Sequence, residues 1–438
     1  MGAKQPFAEN AKEVLGRSAF VNARLLDPAT GLDAMGGVLT DGEVISDFGP
    51  QMFTDSVPED AKVIDCKGKC LAPGLVDMRI AMSGSDFTTT GKAAVAGGIT
   101  TAVCLPNTNP VIDDGSVVEF VARAARKAGL VKVYPYGAIT KGLEGVEISE
   151  MGLLAEFGAV AFSDGNTAIR DAQTMRQVLS YASTFGLMVM EHPEDPSLAK
   201  GGAMNEGETA TRLGLPAIPK IAEVLIIERD LRLARDTGGR LHFSHVSTKE
   251  SIEAIRQAKM DGMSVTCDTA PPYFSLNEGA IGDYRTFAKL SPPLRSEEDR
   301  VAIIEGIKDG TIDAIASDHT PRHEDEKRLP FAQAATGGVG METLLAITLE
   351  LVHNGHISLI EALSMVSSGP ADLLGLNAGR LKKGAPADLV LFDVDKGWKV
   401  DGDQLHSKAK NTPFDERPVQ GRVLRTVIDG RTVFELNS

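Results

Sequence analysis

From Leu71 to about Pro321 the chain alternates short apolar, β-branched runs with amphipathic helical stretches, and this alternation limits the available folds more than any other feature. ITTAVCLP (Ile99 to Pro106) reads as a strand, and GSVVEFVARAARKAG (Gly115 to Gly129) reads as a helix. VKVYPYGAI then precedes EISEMGLLAEFG, and AVAFS precedes RDAQTMRQVLSYASTFG. LMVMEH, RLHFSHVS, KESIEAIRQAKMDG, SVTCDTAP, EDRVAIIEGIKDG and DAIASDHTP continue the pattern. Strands joined through helices form a parallel sheet covered on both faces. About eight such units over about 300 residues predict an α/β fold closed as a (β/α)8 TIM-type barrel. An open doubly wound sheet is the alternative. Against it, no G-x-G-x-x-G follows the early strand, and polar residues end several different strands.

Short strand-like runs flank this region on both sides. AFVNARLLDP, GGVLTDGEVISDFG and AKVIDCKGKCLAP precede it, with Asp41-Gly42 as a hairpin turn. ADLVLFDVD and GRVLRTVIDGRTVFELN follow it, the latter turning at Asp429-Gly430. These ends predict one composite β-sandwich domain from 13–71 plus 375–438, leaving 72–374 to the barrel. The composition is that of a soluble globular protein, 42% hydrophobic and 24% charged, which excludes disordered and fibrous classes. A net charge of −15 argues against nucleic acid or an anionic membrane surface as partner. Cys66, Cys70, Cys104 and Cys267 lack a second close pair for a zinc cage and read as reduced, buried thiols. There is no signal-like leader and no apolar run long enough to span a bilayer, so the expectation is a cytoplasmic protein with no membrane association.

Four strand ends carry residues that could bind a metal or move protons. They are Asp164 after AVAFS, His192 after LMVME, His245 after RLHFS, and Asp318-His319 after DAIAS. A single histidine ending a strand is more often a hydrogen-bond partner than a ligand. Four such ends at one barrel mouth point instead to present or inherited function. Carboxylate and imidazole together suit zinc, and a carboxylate beside a bound water can act as a general base. ATGGVGMET, with Gly337 and Gly340, belongs to the same mouth as a close-approach turn; no Lys follows in P-loop spacing. The first strand leaves the Pro73-Gly74 turn and presents Arg79 and Ala81 on one face. Neither residue can ligate a cation, because a guanidinium has only donors and alanine has no polar side-chain atom.

CLPNTNPVID, FSHVSTKESIEAIR, SPPLRSEEDR, SDHTP, GRLKKGAPADLVLFD and KNTPFDERPVQGRVLRTVIDGR together resemble the dihydroorotases of the cyclic amidohydrolase superfamily, over nearly the whole chain. The resemblance implies a metal-dependent barrel with a composite β-domain. It also implies the reversible closure of N-carbamoyl-L-aspartate to dihydroorotate in pyrimidine synthesis. Carried over by position, Asp164 matches the bridging-carboxylate region, His192 and His245 match the imidazoles of the second metal, and Asp318 matches the general base and first-metal ligand. Asn107 matches an asparagine that holds the substrate carboxylate.

Other positions depart from the family pattern. The His-x-His pair of the first strand is Arg79 and Ala81, the arginine after it is Ser83, and the second of two adjacent aspartates is Gly165. Pro-His-His has become Pro271-Pro272-Tyr273, a substrate-side asparagine is Phe287, and a terminal histidine is Arg322. These losses fall on the first metal and on the carboxylate clamp. The expectation is a dihydroorotase homologue that is catalytically degenerate, binds at most one zinc per chain, forms homo-oligomers and serves as a structural companion of aspartate carbamoyltransferase. The competing expectation is a working enzyme. It would be a mononuclear-zinc dihydroorotase on Asp164, His192 and His245 with Asp318 as base, or an amidohydrolase for another cyclic amide of the hydantoin or allantoin type. In either case Arg79 could pair with Asp318 and fill the vacated place electrostatically.

Overall fold

The computed structural model describes residues 15–82 and 87–436. Strands Leu75–Ile80, Ile99–Cys104 and Lys132–Pro135 form a three-stranded sheet. Strands Phe162–Ser163, Met188–Glu191, Arg240–Phe243, Val265–Thr269 and Ala314–Ile315 form a five-stranded one. Every pairing in both is parallel. Parallel bridges from Gly137 to Phe162 and from Ile80 to His319 join the two sheets edge to edge and close the barrel. The second of these seams matters most for the site, since His319 sits just beyond Asp318 and its carbonyl accepts from Ala81 N at 2.8 Å.

Local chemistry accounts for the helices between the strands. Asp114 caps Gly115–Ala128 by accepting from Ser116 N, and Gly129 ends that helix at φ 67°. Thr248 caps Lys249–Met260 immediately after the His245 loop, and Ser296 with Asp299 forms a capping box on Glu297–Lys308. Two barrel strands are only two residues long, shorter than their apolar runs suggest. At the closing strand the cause is visible. Ser317 N donates to Asp77 Oδ1 at 3.0 Å and His319 N donates to Ser317 Oγ, so side chains take over from the ladder where the backbone turns.

Strands from both flanks of the barrel, between Arg17 and Pro73 and between Leu389 and Glu435, enter one eight-stranded sheet. Its central run places Leu389–Lys399 beside Cys70–Pro73, which in turn neighbours Arg17–Asp27. The core of this domain draws on both ends, with Phe20, Leu25, Val38 and Ile45 packed among Leu389, Leu391 and Val427. Asp41-Gly42 and Asp429-Gly430 both turn antiparallel hairpins. A buried charge cluster links sheet to barrel. Lys132 Nζ, on a barrel strand, donates to Asp388 Oδ2 at 2.7 Å and to Asp429 Oδ1 at 2.6 Å.

Candidate active site

The strand ends deliver four of the residues singled out in the sequence to one place. Arg79, at the end of Leu75–Ile80, is 1% exposed and extends its guanidinium across the barrel mouth. Its Nε donates to Asp318 Oδ1 at 3.1 Å, and its Nη2 donates to Asn166 Oδ1 at 2.6 Å and to the Gly165 carbonyl at 3.3 Å. The expected ion pair with Asp318 is therefore present. His245 Nδ1 lies 3.4 Å from the same Asp318 oxygen, and His245 Nε2 meets His192 Nδ1 at 2.6 Å. On its other side His192 Nε2 approaches Ser291 Oγ at 3.5 Å and Glu194 Oε1 at 3.9 Å.

Two of these residues sit in strained backbone. His245 has φ 41° and Asp318 has φ 49°, a region that non-glycine residues seldom adopt. Such strain persists only where surrounding bonds over-determine it. For His245 one such bond is from its own N–H to Asp268 Oδ1 at 2.7 Å, and Asp268 is in turn held by His242 Nε2 at 2.9 Å. For Asp318 the neighbouring Ser317 is anchored on Asp77.

Electrostatics follow from burial and from Arg79. Burial, then the Arg79 charge, push His245 down to about 4, with Asp318 pulling the other way. Burial likewise pushes His319 down to about 4. Asp318 is held below the usual carboxylate range: burial works to raise it, but His245 and Arg79 outweigh burial. Asp77, buried behind this layer, is pushed up to about 6 by burial despite its bonds from Ser317 and the Arg79 amide.

Asp164 is not part of this group. Its Oδ1 accepts from Ile139 N and Thr140 N, both at 2.9 Å, and its Oδ2 accepts from Thr140 Oγ1. It ties down the loop after Lys132–Pro135, so the carboxylate expected among the metal ligands spends its bonds on Ile139 and Thr140. The residue beside it, Gly165 (φ 74°), is the one whose backbone faces Arg79. Sequence reasoning missed Asn166. Its place just after a strand end was visible, but its role depends on a guanidinium from the far side of the barrel.

A cavity of about 740 Å³ opens at this mouth, lined by Ala81, Asn107, Asn166, Phe287, His319 and Arg322 among others. Asn107 is exposed there, against the Gly165 turn. Phe287 is half-buried on the short helix Thr286–Ala288, and Arg322 spends its Nε on the Thr336 carbonyl at 2.7 Å. Gly340 N donates to His319 Nδ1, and Gly338 bridges His319, so the glycine-rich turn does line the mouth. Ser83 lies outside the described residues.

These side chains do not fit a two-metal centre. Among the described residues no group of three or more His, Cys, Asp or Glu side chains is placed to hold a metal ion. Two imidazole ligands on one tetrahedral zinc, each at about 2.0–2.1 Å, would stand roughly 3.3 Å apart. The 2.6 Å separation of His192 and His245 is that of a hydrogen bond.

Two family models match the chain, a dihydro-orotase-like model over residues 68–251 and an amidohydrolase family model over residues 302–434. With the barrel, the composite sheet and the mouth cavity, they define the class as an amidohydrolase-type barrel protein, a class generally dependent on metal. Curated relatives narrow it further. The dihydroorotase of Anaplasma phagocytophilum (strain HZ) is 42% identical over 425 residues, covering 95% of each chain. That of Syntrophotalea carbinolica is 42% identical over 422 residues, covering 95% of this chain and 98% of its own. The chain belongs to the dihydroorotase family. Among solved structures, L-hydantoinase (dihydropyrimidinase) from Arthrobacter aurescens superposes with a TM-score of 0.86 at 26% identity, covering 96% of each chain. Dihydropyrimidinase from Brevibacillus agri shares the fold at a TM-score of 0.81 and 24% identity.

Proposed function

We propose that this member of the dihydroorotase family is catalytically degenerate and serves pyrimidine biosynthesis as a structural companion of aspartate carbamoyltransferase, in the cytoplasm and as a homo-oligomer. One observation carries the first half of this reading, the Arg79 guanidinium bonded to Asp318 where the family reaction needs an ionised base beside a metal-activated water. A carboxylate engaged by an arginine is a weak base. The retained fold supports the second half, because the composite sheet and its 411–428 segment are intact while the chemical positions have changed.

The test has two arms. Purified full-length protein, assayed for dihydroorotate hydrolysis and carbamoyl-aspartate cyclisation with zinc present, is expected to give no turnover above background. Mixed at micromolar concentration with aspartate carbamoyltransferase, it is expected to co-elute in size-exclusion chromatography with light scattering, through contacts of at least about 1,000 Å² each. Separate elution would overturn the companion role. A second reading, a mononuclear amidohydrolase for a cyclic amide, is favoured by one observation: a cavity of about 740 Å³ lined by Asn107, Asn166 and His319 among others lies open at the barrel mouth. Turnover of dihydroorotate, a hydantoin or allantoin would put that reading first.

A further inference from the structure

Arg79 ends the first barrel strand, yet its guanidinium reaches the segment after the fourth strand, through Gly165 O and Asn166 Oδ1, and the end of the closing strand, through Asp318. These bonds span the barrel mouth and converge on one buried cation. All the acceptors are oxygens: a carboxylate, a backbone carbonyl and a side-chain amide. Oxygens gathered from separate strands around a single positive charge are what a bound cation would require of a protein. Here the charge is covalently attached. Ala81, two residues on and on the same face, adds no competing polar atom, and Gly165 presents its carbonyl without a side chain in the way. A divalent ion placed on Asp318 would sit within a few ångströms of the guanidinium in a poorly solvated site, where like charges repel strongly.

We propose that Arg79 is the resident cation of this centre: the guanidinium takes the structural place of a metal ion, ties three strand ends together, and leaves a fold that neither needs nor admits a divalent ion on Asp318. The alternative is an ordinary buried ion pair in a barrel that still depends on metal. The inference shares its view of Arg79 with the proposed function. It is tested by stability and metal content alone, so turnover or partner binding could fail or succeed without deciding it.

The experiment uses the full chain, its Arg79→Ala variant and its Arg79→Lys variant, each dialysed against EDTA and then titrated with zinc or cobalt. Wild-type protein is expected to keep its Tm within about 1 °C in EDTA and in added metal. It should carry at most one zinc by elemental analysis, and that zinc should survive Asp318→Asn, because it would not be held by Asp318. Arg79→Ala is expected to lose several degrees of Tm and to regain part of them with millimolar ethylguanidinium but not with ethylammonium, since only the planar fork can satisfy acceptors on two strands at once. Arg79→Lys, which keeps the charge without the fork, should fall between the two, and it supplies the reading if Arg79→Ala does not fold. A wild-type Tm that drops in EDTA, an Asp318-dependent metal, or an Arg79→Lys variant as stable as wild type would each overturn the inference.

Discussion

His192 Nδ1 and His245 Nε2 stand 2.6 Å apart with their rings at 76°, so one imidazole donates and the other accepts. Burial and the neighbouring Arg79 charge push His245 down to about 4, so its ring enters this contact neutral at pH 7. Replacing His192 by Ala would leave a buried imidazole nitrogen without a partner, at a cost of about 1–3 kcal/mol. The expected result is a Tm a few degrees lower. The His192→Ala/His245→Ala double variant should cost less than the sum of the single changes. Additive losses in urea unfolding would show that the contact carries no coupling.

Restoring the missing ligand pair should recover metal before it recovers chemistry. Arg79→His with Ala81→His removes the guanidinium and supplies two imidazoles on one strand face, so zinc content is expected to rise above that of wild type. Turnover is expected to stay at background. Phe287 and Arg322 still line the cavity, and Gly165 still stands beside Asp164 in place of a carboxylate. Brisk hydrolysis of dihydroorotate by this double variant would mean that the clamp residues matter less than their positions imply.

The pH dependence can be read through His319. Its folded pKa lies below the ordinary value of about 6.5, at about 4. Between those two values the unfolded chain binds a proton that the folded chain refuses, so stability falls as pH falls through this window. The slope is at most about 1.4 kcal/mol per pH unit. Asp77 and Asp230, each pushed up to about 6 by burial, act with the opposite sign, so wild type alone is not diagnostic. His319→Gln keeps an acceptor for Gly340 N and removes the titration. Its Tm relative to wild type should therefore improve on going from about pH 7 to about pH 5. A constant difference across that range would refute the assignment.

Glu223 is expected to be a sensitive position that lies away from the cavity. Its carboxylate accepts from Ser247 N, Thr248 N and Thr248 Oγ1, each at 3.0 Å, and pairs with the buried Arg295 at 3.5 Å. These bonds fix the loop that follows His245. Glu223→Ala should cost about 3–5 kcal/mol by stranding the arginine, whereas Glu223→Ala with Arg295→Met should recover much of it. Urea denaturation of the three proteins makes the comparison.

The barrel was legible because its signal is periodic. Apolar runs such as ITTAVC and MVME coincide with observed strands, and the caps at Asp114, Thr248 and Ser296 are local chemistry. The helix Ile221–Thr237 lies in a stretch that the strand-helix reading left unassigned, where charged residues interrupt the apolar spacing. Two of them, Glu223 and Asp230, prove to be buried. At the site, the pairing of Arg79 with Asp318 could be anticipated because a guanidinium ending the first strand and a carboxylate ending the closing strand meet at the seam of the barrel. The engagement of Asp164 by Thr140 could not. A carboxylate at a strand end can bond either inward or to the neighbouring loop, and only the three donors offered by Ile139 and Thr140 decide between them.

The Lys132 cluster bears on how the chain is made. That lysine belongs to the third barrel strand, yet its counter-ions Asp388 and Asp429 lie 256 and 297 residues further along. During synthesis the ammonium must wait, hydrated, until Asp388 and Asp429 emerge, and the strand carrying it can settle into its buried place only when they arrive. The segments carrying Asp388 and Asp429 are thus a condition for finishing the third barrel strand. A transcript cut shortly before Asp388 would be expected to encode an unfinished barrel and not a smaller domain.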